Sequence, residues 1–195
     1  MGGNPPIKNH TIVNKIVSSR KTGRIVIFTV FRDNWQPYMK KYTEVFQSQF
    51  PNLNTEYLLL DTEQIDFNSY LDVDLIIIGG GNTEKYIATY VNQEFKNYIE
   101  LMLKKGAKVI GFSAGALLLG EKVYISSNDN SDHQIKIKNG LGLFNQFLIS
   151  VHYDSWNDKA NKDRAEELVD VPIIPLNDHS CLVLDKLGNI IEKID

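Results

Sequence analysis

Apolar residues in this sequence gather in short unbroken runs separated by longer amphipathic stretches. Arg24-Ile25-Val26-Ile27-Phe28-Thr29-Val30-Phe31 is rich in β-branched residues, and Tyr57–Leu60, Asp74–Ile78 and Ala107–Ile110 repeat the pattern. Runs this short, without polar alternation, predict strands buried on both faces. Helical spacing fills the intervals. Thr11–Ser19 predicts a short helix. Pro37 opens a second, with Tyr38, Tyr42, Val45, Phe46 and Phe50 near a 3.6-residue period and a stop at Pro51. Glu84–Lys105 predicts a third, and Ala116–Leu119 begins another after the turn Gly111–Gly115. In the last third, Leu148–Val151, Val171–Leu176, Cys181–Leu184 and Ile190–Ile191 predict strands, with Asp158–Val169 as the helix among them. Alternating strands and helices need crossover connections, so the pattern predicts an α/β fold around a mostly parallel sheet covered on both faces. In such sheets, sites gather at the carboxyl ends of the strands.

Composition narrows the class. With 195 residues and 43% hydrophobic content, a single domain spanning 1–195 can build its core without metal or disulfide; residues 1–22 read as an N-terminal extension of uncertain order. The formal charge is −3 and there is no basic run, which argues against a nucleic-acid partner. Cys181 is the single cysteine, so no internal disulfide forms and a reducing, cytoplasmic setting is expected. The start Met1-Gly2-Gly3-Asn4-Pro5-Pro6 lacks signal-peptide character, and Pro6 disfavours myristoylation. Runs such as Leu75–Ile78 are too short to cross a bilayer, so no membrane partner is expected. The expected state is monomer or homodimer.

Gly111-Phe112-Ser113-Ala114-Gly115 matches the G-x-S-x-G nucleophile elbow in its proper context, after a strand and before a helix. A serine on so sharp a turn needs small neighbours, and the helix start aims free N–H groups at developing negative charge. Gly79-Gly80-Gly81-Asn82-Thr83 closes another inferred strand. The N–H of Ala114 with one from Gly80 or Gly81 would make a two-donor oxyanion hole. Of four histidines, His152 alone follows directly on a strand-like run and precedes a polar stretch, which makes it the candidate base. Its expected carboxylate partner is Asp178, which follows Val171–Leu176, with Asp129 and Asp154 as rivals. Asp129, Asp132 and His133 have neither calcium-loop nor zinc spacing, so no metal or other cofactor is expected. Cys181 reads as a core residue.

Taken together, Ile76–Thr83, Gly111–Ala116 and Val151-His152-Tyr153 resemble the dipeptidase E family of serine peptidases, over roughly residues 24 to 192. The resemblance implies a class I glutamine amidotransferase-like (flavodoxin-like) three-layer sandwich and hydrolysis of a small peptide substrate. It further implies Ser113 as nucleophile, His152 as base, Ala114 and a glycine of Gly79–Gly81 as oxyanion donors, and an acidic residue in the segment of Asp178 as third member. Asp129 looks like the family's aspartate after the nucleophile helix, and Asn82 is a further supporting candidate. The aspartyl dipeptidases carry an arginine in that same segment to suit an acidic substrate; Val123–Asp129 has none, leaving Arg164 and Lys122 as candidate cations and Asp-Xaa specificity unexpected.

Overall fold

A computed structural model describes residues 1–8, 10–17, 24–30, 32–47, 54–60 and 65–195. Strands β1 (Arg24–Val30), β2 (Asn54–Leu60), β3 (Leu75–Ile78) and β4 (Lys108–Gly111) form one parallel sheet in the order β2-β1-β3-β4. The register pairs Ile25 with Leu75 and Leu75 with Lys108, so Val30, Ile78 and Gly111 end along the same edge. Each strand lies where its apolar run predicts. Phe31 of the first run, Ser18 and Ser19 of the first predicted helix, and Phe50 and Pro51 at the end of the second lie outside the described residues.

The runs show no polar alternation because both faces are buried. Val26, Phe28, Ile76 and Ile78 pack against α3 (Thr83–Tyr90), α4 (Gln93–Lys104) and α5 (Ala114–Leu117). Ile25, Ile27, Leu75 and Ile77 pack on the other side against α1 (His10–Val17) and α2 (Trp35–Gln47). The protein is thus a mixed helix and strand fold around a parallel sheet. No helix among the described residues is long and apolar enough to cross a membrane.

Three expectations change. The stretch Glu84–Lys105 is two helices, not one. Asn92 is extended and its side chain accepts a hydrogen bond from the N–H of Phe95 at 2.9 Å, capping α4 and restarting the helical phase. Lys122–Asn139, where no strand was predicted, holds an antiparallel hairpin of β5 (Lys122–Ile125) and β6 (Lys136–Asn139). The N-terminal stretch, whose order the sequence left uncertain, packs in its described part: Ile7, Ile12, Val13 and Ile16 are buried in the α2 side of the core. Beyond the hairpin, β7 (Leu148–Ser150) pairs in parallel with β8 (Ile173–Pro175), α6 (Lys159–Glu166) lies between them in sequence, and β9 (Cys181–Leu184) pairs with β10 (Ile190–Ile194).

Candidate active site

The turn after β4 is forced into shape by close approach. Ser113 has φ 48° and ψ −115°, a conformation few side chains adopt, and stands immediately before α5 without a side-chain capping bond. Gly115 donates its N–H to the Gly79 carbonyl at 3.0 Å. A Cβ on Gly115 would stand 2.2 Å from the Ile78 carbonyl oxygen, so only glycine lets α5 lie this close to β3. Ser113 is thereby raised from the sheet edge, yet it is only 5% exposed.

Facing it is His152, two residues past the end of β7 and itself at φ 52°. Nε2 lies 3.0 Å from Ser113 Oγ, and Nδ1 is hydrogen-bonded to Asp178 Oδ1. The imidazole therefore bridges a hydroxyl and a carboxylate, as general-base activation of a serine requires. The Trp156 ring lies against the His152 ring, tilted by 34° with centroids 4.5 Å apart, and the Trp156 backbone N–H donates to the His152 carbonyl at 2.9 Å. Residues Met1–Gly3 run between the two halves of this arrangement: the Ser113 N–H donates to the Met1 carbonyl at 3.1 Å and the His152 N–H to the Gly2 carbonyl at 2.9 Å. Asp154 is exposed and does not approach His152 by any hydrogen bond.

The Gly79–Gly81 turn lies beside the elbow, with a Cβ on Gly80 falling 3.2 Å from Ser113 Cβ. The two glycines proposed as alternative donors differ. The Gly80 N–H is already given to the buried Tyr42 hydroxyl at 2.8 Å, which removes it as an oxyanion donor. The N–H groups of Gly81 and Ala114 have no acceptor among the described residues. The Gly80 carbonyl accepts from Tyr86 at 3.3 Å and from Arg32 Nη2, so both polar groups of this residue are fixed. Burial holds the Tyr42 and Tyr86 hydroxyls above their ordinary pKa, so the turn is pinned by neutral phenols across the physiological range. Asn82 does not face the nucleophile with its side chain; it caps α3, accepting from the Lys85 N–H at 2.9 Å.

Asp129 follows the end of β5 and accepts from Thr83 Oγ1 at 2.6 Å, on the turn that carries Gly81. Burial pushes its pKa up to about 6, against opposing pulls from Thr83 and from His152. Between the usual aspartate range and about 6, the folded protein keeps a proton that the unfolded chain has released. Stability from this group therefore falls as pH rises through that window. Asp129→Asn keeps the Thr83 acceptor, so it is expected to be more stable than the parent by about 1–2 kcal/mol at pH 7.5, with the gain vanishing near pH 4. Chemical denaturation at the two pH values checks this.

One residue that sequence reasoning assigned to a helix start does something else. Asp158, fully buried, gives no side-chain cap to α6. Its carboxylate accepts from Tyr124 and Ser150 at 2.9 Å each, from Asn161 at 3.1 Å, and from Ser126. It ties the loop that carries Asp129 to the loop that carries His152. Arg164 is exposed on α6, and Lys122 bonds Asn139 across the hairpin at 2.8 Å, so neither candidate cation joins the Ser113 cluster.

With this geometry in place, the sequence relationship is decisive: the model of peptidase family S51 matches residues 19–190. The chain belongs to peptidase family S51. The fold of this S51 member is also found in a protein from Listeria monocytogenes EGD-e assigned as a peptidase E, with TM-score 0.64 and 21% identity over 94% of this chain and 90% of the other. A peptidase from an acI-B1 Actinobacterium superposes with TM-score 0.58 and 18% identity, over 89% and 74% of the two chains. No curated protein sequence matches this one. Family membership makes the protein a peptidase.

Proposed function

We propose that this peptidase is a serine enzyme hydrolysing dipeptides or other short amides through Ser113, His152 and Asp178. The observation that carries the reading is the imidazole of His152, bonded on one side to Ser113 Oγ at 3.0 Å and on the other to Asp178. In this mechanism Nε2 takes the hydroxyl proton as Oγ attacks the scissile carbonyl carbon. The resulting oxyanion is held by the free N–H groups of Gly81 and Ala114. The imidazolium, stabilised by Asp178, then protonates the leaving amine and the C–N bond breaks. Water, deprotonated by the same nitrogen, releases the acyl group from Ser113. Asp129, anionic above about pH 6 and with one oxygen held by Thr83, offers an acceptor to the free amine of a short peptide.

The same reading takes the whole chain as one domain with the class I glutamine amidotransferase-like, flavodoxin-like three-layer arrangement, supported by helices on both faces of the parallel sheet. Buried Cys181 with no second cysteine suits a reducing cytoplasm.

Incubation with a fluorophosphonate should give one adduct, mapped to the peptide containing Ser113, and dipeptides present in excess should slow its formation. An unmodified protein, or an adduct elsewhere, would remove the serine mechanism. Labelling of Ser113 without cleavage of any dipeptide or amide would leave an esterase.

A further inference from the structure

We propose that Arg32 receives a carboxylate of the substrate, so that the crevice between β1 and β3 supplies the cation that the segment after α5 lacks. The placement of the scissile bond rests on the peptidase reading above. The main sheet runs β2-β1-β3-β4, so the chain departs in opposite directions from β1 and β3, and in open α/β sheets that switch point is the crevice where ligands bind. Arg32 lies just past β1 and the Gly79–Gly81 turn just past β3.

Their contact is direct. Arg32 Nη2 donates to the Gly80 carbonyl and would stand 3.2 Å from a Cβ on Gly81, while a Cβ on Gly80 would stand 3.2 Å from Ser113 Cβ. The guanidinium and Ser113 thus lie against neighbouring residues of one glycine turn. The group is also held in place rather than free to sweep through solvent. It lies 4.1 Å over the Tyr38 ring, and the Tyr38 hydroxyl donates to Asn4 Oδ1 at 3.2 Å. Stacking of this kind fixes a guanidinium while leaving its N–H fork available. One N–H goes to Gly80, and no carboxylate among the described residues pairs with Arg32. Asp129 meets the same glycine turn at Thr83, three residues beyond Gly80, so a negative and a positive group stand at the two ends of the turn beside the nucleophile.

A carboxylate can reach Arg32 from the side chain of the residue forming the acyl group or from the free C-terminus of the leaving residue. The test separates them by measuring binding in the Ser113→Ala protein, by calorimetry, of Asp-Leu, Asn-Leu and their C-terminal amides. At least one carboxylate form is expected to bind about tenfold more tightly than its neutral counterpart, the increment of a charge-assisted hydrogen-bond pair. Preference for Asp over Asn points to the side chain; preference for acid over amide points to the C-terminus. R32M and R32Q should abolish that preference and R32K should keep part of it, with thermal unfolding used to choose a folded variant. Equal affinities, no binding of any of the four, or a preference that survives R32M and R32Q overturns the proposal. Because Ser113 Oγ is absent from the binding assay, failure of the parent protein to hydrolyse peptides would strike the peptidase mechanism alone.

Discussion

Ser113→Ala is expected to lower kcat for any peptide substrate by about a million-fold while leaving the thermal midpoint unchanged. The substitution deletes one oxygen and keeps the Cβ, so the strained turn at φ 48° and the close seat of Gly115 on β3 are preserved. What is lost is the atom that forms the acyl bond. The free N–H groups of Gly81 and Ala114 remain, and catalysis of about 10³–10⁴ over water can persist from such donors and from binding. Steady-state rates with a dipeptide, alongside thermal unfolding, provide the check. Retention of more than about a tenth of the parent rate would contradict Ser113 as nucleophile, given the size of effect that loss of a triad serine produces.

Asp178→Asn is expected to lower kcat by about 10³–10⁴-fold with little change in KM. In the proposed mechanism the carboxylate, bonded to Nδ1 of His152, holds the tautomer that leaves Nε2 free to receive the serine proton; an amide in its place can donate to Nδ1 and lock the wrong tautomer. The Asp178 side chain is 37% exposed, so the substitution buries no new polar group and folding should be spared. A loss below about tenfold, with a large loss in Asp129→Asn instead, would move the partner role to Asp129.

The elbow was legible because its demands are local. Gly111, Ser113 and Gly115 announce a sharp strand-to-helix turn wherever a β-branched run precedes them, and His152 and Asp178 stand out as candidates because both follow short apolar runs; the structure brings their side chains into one chain of contacts with Ser113. Parallel pairing needs no more than the same runs and the crossover argument; the order β2-β1-β3-β4 comes from the structure. What the sequence hid are contacts between residues far apart. The Tyr42 hydroxyl, 38 positions from Gly80, reads as one more apolar position on an amphipathic helix, yet it decides which glycine is free to donate. Asp158 looks like a helix cap, and its true partners Tyr124 and Ser126 lie 34 and 32 positions back. The β6 strand, Lys-Ile-Lys-Asn, has one apolar residue and gains its pairing from the Val123–Ile125 side of the hairpin. Arg32 belongs to no motif; the role proposed for it comes from the reversal of strand order between β1 and β3, a feature of the assembled sheet.

His152 stands 39 positions after Ser113, and Asp178 a further 26. The serine follows β4, an edge strand of the four-stranded sheet, whereas its partners follow the separate β7–β8 pair. A chain whose β7–β8 portion has come away from β4 therefore carries an isolated hydroxyl, no more reactive than any other serine. Under the proposed mechanism hydrolytic competence belongs to the docked whole, so activity can serve as a reporter for reassembly of complementary fragments.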